Sequence, residues 1–429
     1  MKKIIRNLCI GFFAVLIMAN LGLACEKTPD PIIEPEDTIS LVVDDTIRPL
    51  AAFSYIANHL EVTFTNESQD ARSYTWRFND GTYQEVVEHP VHTFPRTGLF
   101  DVLLIARSVD KINDTIIQQV EVFREEKPVN PNFTLESPYR NLDNWYRGQM
   151  HVHSTDSIDG KLVGSPDAED PPDVMMKTYR DKGYDFVALT DHWVYTVDPE
   201  VEGVLYISGE EVEADLDGKG VHANIYNIFD TIPNGTTTED LIAMEGSFTQ
   251  LNHPTRSSVM YHHIDNSGVG LWAIEVSNWY NKKPMDLLLW DNQITKGKRV
   301  WCNAGDDMHD AGGAGHNATM VNSQSNTLED IMANLLAGNF YATEGGPDFV
   351  HMDITTSGKT ITCTTNNGSR IKWYKEDMLL VKETSGGSDS YTPTGNEVFI
   401  RVEVQMEKDD DRDGIPNTAF SQAIFLVYP

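Results

Sequence analysis

Cysteine is scarce in this chain. Only Cys9, Cys25, Cys302 and Cys363 occur in 429 residues. Beyond Cys25 two remain, in segments of different character, so no disulfide framework is expected. Basic residues are thin as well: 33 Lys and Arg against 65 Asp and Glu give a formal net charge of −32. A general nucleic-acid or anionic-membrane binder needs a basic footprint, which this balance excludes. A phosphorylated ligand stays admissible, because bound cations can dominate a local field. A long apolar run is also missing. The N-terminal stretch from Leu8 to Met18 is short of the roughly 20 residues that a spanning helix needs.

What the N-terminus does have is the layout of an export signal over residues 1–24: Lys2, Lys3 and Arg6, the apolar run, then small residues before Cys25. LGLAC resembles a bacterial lipoprotein cleavage box, with Gly22 where an aliphatic residue is usual. The resemblance implies lipidation of Cys25 and an exported, envelope-anchored protein, with that anchor as its membrane contact. Residues 25–48 are rich in Pro, Asp and Glu without amphipathic period and read as a solvated tether.

Residues 49–124 switch to short alternating runs (LEVTFTN, SYTWRFND, FDVLLIARS, TIIQQVEVF), the pattern of an all-β sandwich. The segment resembles the PKD domain, an immunoglobulin-like fold, at Trp76, Phe78, Asp80-Gly81, Pro90, His92-Thr93-Phe94, Gly98 and Phe100. Asn79 stands where the family usually has Gly. The resemblance implies a spacer or a glycan- or protein-contacting module rather than chemistry, and a packed structural role for His92. Residues 125–138 read as a linker.

From 139 to 345 strand-like and helix-like segments alternate, with helices expected near 171–182, 238–245, 284–296 and 327–337. Such alternation predicts an α/β barrel with functional groups at the C-terminal ends of the strands. The polar motifs sit there: MHVHS, TDH at 190–192, SGEEVEA at 208–214, VHANIY at 221–226, NHP at 252–254, AIEVSN at 273–278 and GDDMH at 305–309. In H-x-H the period of two puts His151 and His153 on one side of a strand. Imidazole donors suit zinc, manganese or iron better than magnesium.

The ordered set HxH, TDH, GxE, H, HP and DxH resembles the PHP family, metal-dependent phosphoesterases on a distorted seven-stranded (β/α) barrel. The resemblance implies two or three divalent ions. His151, His153, Glu211 and Asp307 would hold one. His222 and His253 would hold a second, bridged by Glu211, and Asp159, His192 and His309 a third. The resemblance prefers Glu211 to Glu210, since the family places its carboxylate two after the Gly, and Asp159 to Asp156, since Asp159-Gly160 fits the family's loop; the D-x-H spacing prefers Asp307 to Asp306. Such ions generate a hydroxide nucleophile near neutral pH and hold phosphoryl oxygens. The implied enzyme is a phosphoric ester hydrolase acting on a phosphorylated small molecule or a phosphoester polymer end. Arg256, or a surface ion pair in its place, and His316, as substrate contact or leaving-group acid, complete the catalytic expectation. Gly312, Gly313 and Gly315 suggest a flap, or merely a tight turn. Asp191 and Glu275 read as groups orienting ligands, and His262 and His263 as loop histidines.

Residues 346–429 return to β character and read as a small C-terminal sandwich. Asp409, Asp411, Asp413 and Gly414 follow the D-x-D-x-D-G spacing of a calcium loop. Phe420 stands where an EF-hand has its twelfth-position Glu, which favours a plain acidic loop. Two other functions stay open: a metal hydrolase of a non-phosphate bond, and a non-catalytic surface protein that binds glycan.

Overall fold

Alternation decides the N-terminal module. In Gly98–Arg107 every second residue from Phe100 to Ala106 is buried, so one face of the strand points inward. Two three-stranded sheets result. Phe53–Asn58, Glu61–Asn66 and Val91–Thr93 form one; Ser73–Arg77, Gly98–Arg107 and Asn113–Val122 form the other. Between them lie Phe53, Phe64, Trp76, Phe78, Phe94, Phe100, Val102 and Leu104. His92 is buried here, stacked on Phe78 with centroids 3.7 Å apart.

The computed structural model describes residues 46–429 except 83, 159–160, 267–272, 281–283, 347 and 408–415. The signal, Cys25, most of the tether, Asp159 and the Asp409, Asp411 and Asp413 loop therefore lie outside the described residues. From Ile47 onward the chain forms one compact unit. Arg124, at the exit of the N-terminal sandwich, joins it to the body by hydrogen bonds from Nη2 and Nε to Asp377, 2.8 and 2.9 Å. Among the described residues no helix is long and apolar enough to cross a membrane.

The body is strand-rich. Asn144–Gln149, Phe186–Leu189 and the start of Leu205–Leu216 pair in parallel, as do Phe248–Leu251, Ala273–Asn278 and Trp301–Gly305. Between these groups the chain reverses. Asp217 and Gly218, at φ of 52° and 75°, make a two-residue hairpin turn of the kind Asp-Gly favours. Lys219–Tyr226 therefore runs antiparallel to both neighbours, and simple βα alternation is interrupted there. The first and last of these seven strands meet beyond their C-terminal ends, where Val152 and Met308 form a parallel bridge.

The expected helices appear as Pro172–Asp181, Thr238–Ile242, Pro284–Thr295 and Leu328–Leu336, the last capped by the Thr327 hydroxyl accepting from the Asp330 amide. His262 and His263 differ from the loop reading. They lie on a short helix, Tyr261–Asn266, and His263 is buried with its Nδ1 accepting from the Met260 amide at 3.0 Å.

The C-terminal strands do not form a separate sheet system throughout. Thr418–Phe420 pairs with Phe340–Glu344 and carries the body's sheet on into Phe399–Gln405 and Arg370–Lys375. Residues 134–136, placed in the linker by composition, pair with Ile424–Val427. A buried ion network reinforces this junction: Arg401 donates to Asp291 on the Pro284–Thr295 helix and to Glu403, at 3.3 and 2.6 Å. Cys302 and Cys363 are buried free thiols.

Candidate metal centre

Backbone bonds within and just past the strands gather the polar motifs. The His153 amide donates to Met308 O, Asp307 N to His151 O, Glu211 N to Asp191 O, and Asn252 N to His222 O, all at 2.9–3.1 Å. Gly305 is needed for this closure, because a Cβ there would stand 2.4 Å from Glu275 Oε1 and 2.6 Å from His151 Cβ. Asp307 and His253 adopt positive φ, 56° and 24°, a departure that costs roughly 1–3 kcal/mol each and collects at functional sites.

Glu211 is the hub. Fully buried, its Oε1 lies 3.4 Å from His151 Nε2, 3.1 Å from His222 Nδ1 and 3.3 Å from His253 Nε2. Its Oε2 lies 3.4 Å from His153 Nε2 and 3.0 Å from His192 Nδ1. Asp307 Oδ1 is 3.3 and 3.2 Å from the Nε2 atoms of His151 and His153. Ligand-type atoms of His151, His153, Glu211 and Asp307 form one group close enough to hold an ion; His192, Glu211 and His222 form another, and His153, His192 and His309 a third.

The residues behind them fix ring orientation. Glu275 Oε1 binds His151 Nδ1 at 3.0 Å, which leaves Nε2 to face Glu211 and Asp307. Glu275 Oε2 accepts from the His253 amide and Asn278 Nδ2 at 3.0 and 2.9 Å. Ser165 Oγ meets His153 Nδ1 at 2.9 Å and in turn donates to Asp191. Asp191 also accepts from the Ser154 amide and the hydroxyls of Ser154 and Thr196. Burial raises its carboxyl above the usual range.

The cluster's electrostatics are those of a site built for cations. Burial opposes charge on His151, yet Asp307, Glu275 and Glu211 hold it well above the usual imidazole range. His153 is pushed down to about 3 by burial. Burial works to raise Glu211 and Asp307 too, but the surrounding imidazoles, His151 foremost, hold both below the carboxylate range. The decisive feature is what these atoms lack. His151 Nε2, His192 Nδ1, His253 Nε2, His309 Nε2 and Glu211 Oε2 are buried and make no hydrogen bond; those that approach one another are misaligned for it. Buried polar atoms without partners are costly and rare. Lone pairs converging on a common centre are satisfied by a metal, and this donor set fits one.

Other expected residues are placed differently. Arg256 stands at the rim, 45 % exposed, with Nη1 4.0 Å from Asp307 Oδ2. His316 stacks face to face on Trp279, with centroids 3.5 Å apart. The glycine loop is pinned rather than a free flap. Asp306 accepts from the Tyr179 hydroxyl and from the amides of Gly315, His316 and Asn317, and Asp310 accepts from Gly313 N at 2.8 Å. One carboxylate escaped the sequence reading. Asp167 Oδ2 lies 3.3 Å from His309 Nε2 and 3.9 Å from His192 Nε2. Its loop has neither period nor motif, and its acidity soon after H-x-H is the one signal that could have found it.

Residues 50–122 match the PKD domain family model. No curated protein matches the chain in sequence. Among solved structures, the chain is similar to the PKD1 domain of Vibrio anguillarum Epp, at 25 % identity over 18 % of this chain and 95 % of that one, TM-score 0.17. The PKD1 domain from Vibrio cholerae metalloprotease PrtV matches at 27 % identity over 18 % of this chain and 99 % of that one, TM-score 0.17. Similarity extends to a two-domain protein containing a predicted PHP-like metal-dependent phosphoesterase from Bacteroides vulgatus. That match has 18 % identity over 71 % of this chain and 98 % of that one, TM-score 0.36.

Proposed function

We propose that the chain is an exported, metal-dependent phosphoesterase whose seven strands close as a distorted (β/α) barrel around the Glu211 cluster. The observation that carries this is Glu211 itself, a buried carboxylate within 3.4 Å of imidazole nitrogens from five histidines. Neither core packing nor a glycan scaffold calls for that arrangement. In this reading His151, His153, Glu211 and Asp307 would hold one ion, and His222 and His253, with Glu211, would hold a second. His192 and His309 would hold a third, with Asp167 as the carboxylate within reach. The PKD match and the N-terminal apolar run support export.

Divalent ions held there supply Lewis acidity to phosphoryl oxygens and a water-derived nucleophile at neutral pH. The protein's own part is placement. Glu275 keeps His151 in the tautomer that presents Nε2, and Asp191 with Ser165 does the same for His153. Arg256, half-exposed at the rim, is positioned to meet a non-bridging oxygen. The test is a panel of phosphomonoesters, phosphodiesters and carboxylic esters, assayed before and after chelation. Hydrolysis of a phosphoester that chelation abolishes and zinc or manganese restores is expected. Cleavage confined to carboxylic esters would replace the reading with its non-phosphate alternative.

A further inference from the structure

We propose that Trp193 and Tyr280 form a ring-binding subsite at the open edge of the metal centre, so that the substrate's alcohol portion carries a flat-faced ring, a pyranose or a nucleobase. This rests on the phosphoesterase reading above. The cluster is closed on one side, where His151, His153, His253, Glu211 and Asp307 have no exposed surface. It opens along His192, His222 and His309, 7, 26 and 19 % exposed, with the His192 ring 5.5 Å from that of His222 and 5.9 Å from that of His309. At that edge stand two large exposed aromatic side chains, Trp193 at 43 % and Tyr280 at 68 %. The indole lies over the His192 imidazole, centroids 5.0 Å apart and planes 29° from parallel; the Tyr280 ring lies 6.1 Å from that of His309.

Trp193 is held in this exposed position rather than left there by chance. Its φ is 60°, a conformation bulky residues rarely adopt. The Trp193 amide donates to Glu211 O at 3.1 Å. Three residues on, Thr196 is tied by its hydroxyl to Asp191 and by its carbonyl to the Tyr206 hydroxyl. Strain of this kind persists where the surroundings impose it, and it collects at sites of function. A phosphoryl group seated on the buried donors directs its alcohol outward to the rim, where these two rings stand beside His192 and His309. With a net charge of −32 the protein offers an anion little long-range attraction, so affinity has to come from the metals and from neutral contacts. Stacking on an aromatic face is such a contact, open to the π-face of a nucleobase and to the apolar C–H face of a pyranose.

The test uses metal-reconstituted full-length protein with glucose 6-phosphate, adenosine 5′-monophosphate and glycerol 3-phosphate. The wild type is expected to prefer one ringed substrate over glycerol 3-phosphate, and the ring preferred identifies the source. Trp193→Ala should cut that preference about 10-fold through KM, with Trp193→Phe restoring most of it. Tyr280→Ala, at a more exposed position, should cut it in the same direction and serves if Trp193→Ala does not fold. Saturation-transfer NMR with glucose and adenosine gives a second readout independent of turnover. Contact with the preferred ring in the wild type, lost in Trp193→Ala, supports the subsite. An equal loss on ringed and ringless substrates, or ring contact that persists in both variants, overturns it. Absence of hydrolysis on every phosphoester overturns the functional reading instead, and the NMR arm still decides the subsite.

Discussion

His92 in the N-terminal sandwich and His151 in the body are both buried imidazoles set among carboxylates, but only one of them is finished. His92 Nε2 meets Asp80 at 2.7 Å, its Nδ1 meets Glu85 at 3.3 Å, and its face covers Phe78. Both nitrogens and the ring are used up by the protein. His151 spends Nδ1 on Glu275 and keeps Nε2 without a hydrogen bond, facing Glu211 and Asp307. Residue type and burial are alike at the two places; satisfaction differs. A completed polar contact holds a fold together, whereas one left open among converging neighbours marks where something else binds.

Substitutions can break or sharpen that contrast. The largest effect belongs to Glu211→Ala, which removes the shared carboxylate: bound metal should fall by about one equivalent or more, and phosphoesterase activity to background. Elemental analysis with a rate assay checks it; unchanged metal content would count against Glu211 as the bridge. Glu275→Gln should lower metal affinity or activity about 10- to 100-fold, the usual cost of disturbing a residue that orients a ligand. A metal titration reads it.

His92→Ala is the converse case. It should cost about 2–4 kcal/mol of stability, from a cavity and a buried Asp80 left short of a partner. Metal content should stay that of the wild type, with the loss visible in chemical denaturation alone. The smallest effect is expected from Asp167→Asn. Because this carboxylate is 60 % exposed, the loss should be confined to the weakest-held ion and to a few-fold change in rate. A loss as large as that of Glu211→Ala would place Asp167 at the core of the site.

Much of the cluster was legible because its residues come in local pairs. H-x-H, T-D-H and D-x-H each join a ligand-type residue to the end of an apolar strand, G-E-E sits within the strand Leu205–Leu216, and these segments converge in space. The sandwich was legible for a similar reason, its period-two burial being written along single strands such as Gly98–Arg107. What escaped depends on contacts between distant segments. Asp167 joins His309 across a loop with no pattern, and the hold of Asp306 on the Tyr179 hydroxyl and the amides of residues 315–317 likewise spans distant segments. Composition likewise could not show that Thr418–Phe420 would pair with Phe340–Glu344, because β propensity does not name a partner strand.

The most direct test of the central claim is the metal content per chain of purified protein from residue 26 onward, before and after reconstitution with zinc, manganese or iron(II). Open donors around Glu211 predict about two to three equivalents, lost on chelation and regained on reconstitution. Near-zero metal after reconstitution would contradict the account, and would make the cluster a set of buried histidines satisfied in some other way.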